Sequence, residues 1–221
     1  MDPMIEKGMD ICLVVDLNPF RDSGILRDSF LFRFNLLLCW LGTLGPGFFI
    51  SVFLLDGPFE ETFTKHAESD EDNVHYLRQR YFQSLCDPQE TAPYHSAGLY
   101  ENAENAIREI QNEEPYISFD THSFYITATP VKKCCQDEFI DQDCFRADSS
   151  RHLYLLGMDK DDACMTAEKT GCKGFFRYDL DTDGIDECFD DLFDTLKAVS
   201  SIFTRTVVPM EYSSRAGWYA S

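Results

Sequence analysis

The chain has 221 residues, of which 39 are acidic and 19 basic, giving a formal net charge of −20. That balance excludes a phosphate-reading surface, which needs clustered Lys and Arg, and speaks against docking on anionic lipid. A hydrophobic content of 44% with 26% charged residues is globular composition, and this length carries one substantial core, so a single domain over residues 1–221 is expected.

Ile11–Val15 (ICLVV) is a short, β-branched apolar run closed by Asp16, the pattern of a strand buried on both faces. Asn18-Pro19 marks a turn. Asp22 or Ser23 can cap a helix running to about Leu41, with Leu26, Phe30, Phe34, Leu37, Leu38 and Leu41 at helical spacing. Its second half is apolar nearly all round, which predicts a helix enclosed by the core. Phe34–Leu55 carries no charge over a length that could cross a bilayer. Gly45-Pro46-Gly47 divides it, however, into a helix end, a turn and a second buried strand, Phe48–Leu55. Strand, helix and strand in this order predict a right-handed crossover between parallel strands. The expected class is therefore α/β, a mostly parallel sheet with helices on both faces.

Phe59–Leu85 reads as helix interrupted by the acidic patch Glu68–Asp72, and Cys86–Tyr94 as a loop. Ser96–Ile110 reads as a helix with Leu99, Ala103, Ala106, Ile107 and Ile110 on one face. Ile117–Thr129 holds a strand or hairpin. Residues 131–150 are charged, Cys-rich and without period, and are read as an insertion. His152–Met158 is a buried strand, Lys173–Tyr178 a short one, Asp190–Phe203 a helix, and Thr206–Pro209 a last edge strand.

The nine cysteines are odd in number and form no CxxC pair, the chain starts with a polar segment, and it has no N-x-S/T sequon. These features point to a reducing compartment with thiols rather than disulfides. The spacings from Cys134 to Cys188 match no zinc pattern.

Two acidic constellations are candidate binding sites. Asp16 and Asn18 follow the first strand, where an open parallel sheet places its ligands and where carboxylate and amide oxygens could hold a divalent cation. Ser96 is a candidate hydroxyl from a second loop. Asp179-Leu180-Asp181-Thr182-Asp183-Gly184 opens like a calcium loop, with Asp190 at its twelfth position. Against this, Asp186 occupies the position normally apolar, and the preceding GFFRY looks like a strand. The bland alternative is an acidic loop whose carboxylates favour the start of the following helix. The sequence leaves the metal question open. It contains no Gly-x-Ser-x-Gly, phosphate-binding loop, dinucleotide fingerprint or HExxH, and its five histidines are scattered. No enzyme and no cofactor is expected.

ICLVVDLNPF, RDSFLFRFNLLLCWL and FFISVFLLDG together resemble the opening of von Willebrand A-like domains. Such domains place Asp-x-Ser-x-Ser after the first strand; here Asn18 and Phe20 stand at the serine positions, so a full metal-dependent adhesion site is broken. Within that class the opening is similar to the N-terminal region of the treslin family, as is the segment Ala92–Leu99 (APYHSAGL). That resemblance implies a non-enzymatic nuclear scaffold of DNA replication initiation, with partners in the replication-initiation complex such as MTBP. A rival resemblance is to the von Willebrand A-like subunit of TFIIH, whose first strand also ends in Asp-x-Asn-Pro; that family's C-terminal zinc module is not visible here. A metal-dependent ligand-binding domain using Asp16, Asn18 and Ser96 is the other alternative.

Overall fold

A computed structural model describes residues 6–16, 20, 23–45, 47–54, 67–68, 72, 75–76, 105, 107–108, 117–130 and 150–215. In chain order the elements are β1 (Glu6–Val15), α1 (Gly24–Leu41), β2 (Phe48–Leu54), β3 (Ala67–Glu68), β4 (Ile117–Thr127), β5 (Arg151–Leu156), α2 (Lys160–Lys169), β6 (Phe175–Tyr178) and α3 (Thr182–Arg215). The sheet order is β3-β2-β1-β4-β5-β6. Five strands run parallel, and the two-residue β3 pairs antiparallel at the edge.

Strand alternation sends Met9, Ile11, Leu13 and Val15 of β1 into one core layer, and Cys12 and Val14 into the other. α1 and α3 cover the first face through Phe30, Phe34, Leu37, Phe189, Leu192 and Leu196. α2 and Ile107 cover the second, through Ala163 and Ala167 against Leu153 and Leu155. The chain steps outward from β1 to β2 in one direction, and from β4 to β6 in the other. Right-handed crossovers taken in opposite directions put their helices on opposite faces, as found for α1 and α2. This is the α/β class, a mostly parallel sheet with helices on both faces, that the strand-helix-strand opening predicts.

The structure changes several expectations. α1 is not enclosed: Phe30, Phe34, Leu37, Leu38 and Leu41 are buried, while Ile25, Phe32, Leu36 and Cys39 are exposed. Its all-round hydrophobicity records a second apolar side, not a second covering layer. α3 begins at Thr182, eight residues before the expected Asp190, and continues as helix through Thr206–Pro209, where an edge strand was expected. Ile117–Thr127 is one strand rather than a hairpin. α2 was not expected; its buried face is Ala163, Thr166 and Ala167, too small to print a Leu/Phe stripe. Asp159 still marks its start by accepting from the Asp162 amide at 2.8 Å. The helix read over Ser96–Ile110 is helical at Asn105, Ile107 and Arg108, and Glu68 lies in β3. The remainder of Phe59–Ile110 is mostly outside the described residues, as is the insertion 131–149. Cys12, Cys39, Cys164, Cys172 and Cys188 are thiols, not disulfides. No described helix is long and apolar enough to cross a membrane.

One polar side chain is set into the middle of β1. Asp10 is 1% exposed and accepts from the Cys12 thiol at 3.2 Å and the Ser51 hydroxyl at 3.3 Å. Burial raises its carboxyl from 3.8 to about 6, against the two hydrogen bonds, which lower it. A carboxyl raised in the folded state favours folding below its unfolded value and loses that advantage as pH rises through its folded value. Asp10→Asn is therefore expected to raise stability at pH 7 by roughly 1–3 kcal/mol, with the gain fading as pH falls from about 6 toward 4. Urea midpoints of both proteins across that range are the check; equal midpoints at pH 7 would refute the buried-charge account.

Candidate functional site

β1 and β4 are neighbours, yet the chain leaves β1 toward β2 on the other side. Their carboxyl ends therefore bracket the point where strand order reverses, the usual crevice of an open parallel sheet. Asp16 closes β1 there, 1% exposed, with its amide donating to the Ile126 carbonyl at 2.9 Å. Its Oδ2 accepts from the Thr127 hydroxyl at 3.4 Å and from the Thr129 hydroxyl. The Thr129 amide in turn donates to Thr127 Oγ1 at 3.0 Å. Thr127, the last residue of β4, and Thr129 just beyond it thus hold the carboxylate from the side.

Phe20, four residues after Asp16, is 1% exposed and stacks on Phe30 of α1 with ring centroids 4.2 Å apart. Where the adhesion-site pattern wants a second hydroxyl, this chain drives a phenyl ring into the core. Among the described residues Phe20 offers no donor to a cation, and Asp16 Oδ2 accepts from two hydroxyls. Asn18 and Ser96 lie outside the described residues. Among the described residues, no group of three or more His, Cys, Asp or Glu side chains could hold a metal ion.

The calcium-like segment folds as a helix start. Asp181 takes the capping role: its Oδ1 accepts from the Gly184 amide at 2.7 Å, and its carbonyl accepts from the Ile185 amide at 3.0 Å. Gly184 is glycine because a Cβ there would collide with the Asp179 carbonyl. Asp183 lies in the first turn, where its charge favours the helix dipole. Asp190 is eight residues into α3, about 12 Å along the axis, so it is not folded back toward Asp179 and Asp181. It meets Arg33 of α1 at 3.1 Å instead, and Arg33 also bonds Asp186 at 2.6 Å. The guanidinium keeps the Asp186 carboxyl below its ordinary value. The bland reading of this segment is thus the one its geometry supports. On this geometry, Asp181→Ala is expected to lower stability by about 1 kcal/mol, the cost of a lost cap. Thermal melts with millimolar Ca²⁺ and with chelator should coincide for both proteins; a Ca²⁺-dependent rise that the variant lacks would restore the calcium loop.

The tertiary structure also makes one pairing that spacing hides. His122 of β4 and His152 of β5 stack, with Nδ1 and Nε2 3.4 Å apart and ring centroids 5.7 Å apart. Phe124 stacks on His152 at 4.6 Å, and Asp120 approaches His122 at 3.6 Å. Parallel pairing sets Phe124 opposite His152, which no sequence spacing reveals. Burial first, and the neighbouring His122 second, push His152 down from 6.5 to about 4. A depressed value favours folding above 6.5, and that contribution is lost as pH falls through 4. The His152 contribution should therefore fall by roughly 1–2 kcal/mol between pH 6.5 and 4, so that parallel urea titrations show His152→Gln gaining stability relative to the parent protein over that range.

No family model matches the chain, and no curated protein is similar to it in sequence. Solved structures share its fold. The N-terminal domain of TFIIH p34 is 9% identical with a TM-score of 0.50, over 80% of this chain and 92% of that one. The human COPII-coat protein Sec24c is 10% identical with a TM-score of 0.51, over 85% of this chain but only 32% of that one. The ArnB paralog VWA2 from Sulfolobus acidocaldarius is 14% identical with a TM-score of 0.42, over 77% of this chain and 41% of that one. At these identities the likeness is one of fold, and the fold shared with p34 and Sec24c is the α/β sandwich described above.

Proposed function

We propose that this chain is a non-catalytic protein-interaction module of a nuclear multi-subunit assembly. The observation that carries the reading lies at the switch point. Asp16 is engaged by Thr127 and Thr129, and Phe20 is packed where a ligating hydroxyl would stand. These contacts use both side chains within the fold, which favours recognition at its outer surfaces. The strong negative charge suits a basic protein surface and opposes nucleic acid.

Two assemblies are in view. The opening sequence resembles a replication-initiation scaffold, with an MTBP-like partner. The fold match to p34 over 92% of that domain favours a subunit of the TFIIH type. The test is affinity purification of the tagged full chain from nuclear extract, once with Mg²⁺ and once with EDTA, read by mass spectrometry. A stoichiometric set of proteins recovered equally in both buffers is expected, and its members decide between the two assemblies. Recovery that needs Mg²⁺ and disappears in Asp16→Ala would instead establish a metal-dependent ligand-binding domain.

A further inference from the structure

α1 and α3 lie side by side on one face of the sheet and descend it together. Phe30 of α1 meets Phe189 of α3 at 5.2 Å between ring centroids, and Trp40 meets Phe193 at 5.7 Å. Farther down, Phe203 of α3 reaches Phe48 at the start of β2, at 5.0 Å. Their outward sides differ in chemistry. Ile25, Phe32 and Leu36 of α1 are 75%, 62% and 42% exposed. They stand at i, i+7 and i+11, one side of the helix, and exposed Cys39 extends the row. On α3, exposed Asp183, Glu187, Asp190 and Asp194 stand at i, i+4, i+7 and i+11. Each row is about 16 Å long, eleven residues of helical rise.

The basic groups described between and beside the rows are already engaged. Arg33 bonds Asp186 and Asp190, and Lys197 bonds Asp194 at 3.3 Å. The surface is thus an apolar strip with an acidic flank of equal length, in which Asp190 and Asp194 are shared with Arg33 and Lys197 while Asp186, Asp183 and Glu187 keep the balance negative. A solvent-facing helix side would ordinarily be polar, as that of α3 is along the row from Asp183 to Asp194. From this complementarity we infer that the paired rows are the docking site for a basic amphipathic helix of a protein partner. The inference rests on the protein-interaction reading above.

About three to four turns of such a helix would cover the strip. Its apolar side chains would displace water from Ile25, Phe32 and Leu36, and Lys or Arg on one flank would face the α3 acids. A second copy of this chain fits worse, because it would bring acidic rows together.

The experiment uses the full chain in the purified assembly. A photo-crosslinking phenylalanine analogue replaces Phe32, or, as the control on α2, Cys164. The expected result is a crosslink from position 32, and not from 164, to a Lys/Arg-rich segment with helical apolar spacing. Phe32→Ser combined with Ile25→Ser should weaken assembly at least tenfold at an unchanged melting temperature. Asp183→Asn with Glu187→Gln should weaken it less and reduce its salt dependence. A crosslink to an acidic or non-amphipathic segment, or an assembly indifferent to the paired serine changes, overturns this docking site while leaving the interaction reading in place. Recovery of no assembly at all overturns both.

Discussion

From Gly8 to Val15, strand β1 has no solvent-facing side. Met9, Ile11, Leu13 and Val15 are fully buried in one layer, Cys12 and Val14 in the other, and β2 and β4 take up its hydrogen-bonding edges in parallel. A strand of this kind is stable only with helices on both faces, and parallel pairing demands crossovers long enough to supply them. The layer order, the position of α1 and the reversal of strand order beside β1 follow from that one requirement. Asp10 is the exception within it, a carboxyl at the centre of the most buried strand, held by a thiol and a hydroxyl.

The reversal of strand order fixes where a ligand crevice would form, and side chains decide what becomes of it. Asp16 is anchored by the backbone of β4 through Ile126 and by two threonine hydroxyls. Phe20 stacks on Phe30, which in turn packs edge-on against Phe189 of α3. The Phe20 ring is therefore part of the aromatic cluster joining α1 to α3. Burying a phenyl is worth roughly 2–3 kcal/mol.

α3 shows the same economy in polar contacts. Its Asp181 caps the first turn, its Asp186 and Asp190 hold Arg33, and its Asp191 accepts from Tyr178 at 2.7 Å. Tyr154 donates to Thr195 at 2.9 Å, and burial raises its hydroxyl to about 12. Asp190 does both: it holds Arg33 and, with Asp183, Glu187 and Asp194, lines the outward side of the helix.

The sequence by itself determined the class of fold. ICLVV and FFISVFLL are continuous apolar runs around a capped helix, and only a parallel sheet covered on both faces accommodates them. The phenyl at the second serine position of the adhesion pattern was legible too, and the structure buries that ring against Phe30. What the tertiary structure decided were matters of direction and distance. Asp179, Asp181, Asp183 and Asp190 are spaced like a calcium loop, but spacing does not specify backbone curvature, and the close approach of Gly184 to the Asp179 carbonyl turns the chain into a helix. The apolar circumference of α1 gave no hint that one side would remain exposed, since hydrophobicity shows which residues can be buried and not whether a layer exists to bury them. His122 and His152 met only through the register of β4 and β5, and the hold of Thr127 and Thr129 on Asp16 arose only because β4 returns beside β1. Local pattern set the elements; long-range pairing set which side chains share a place.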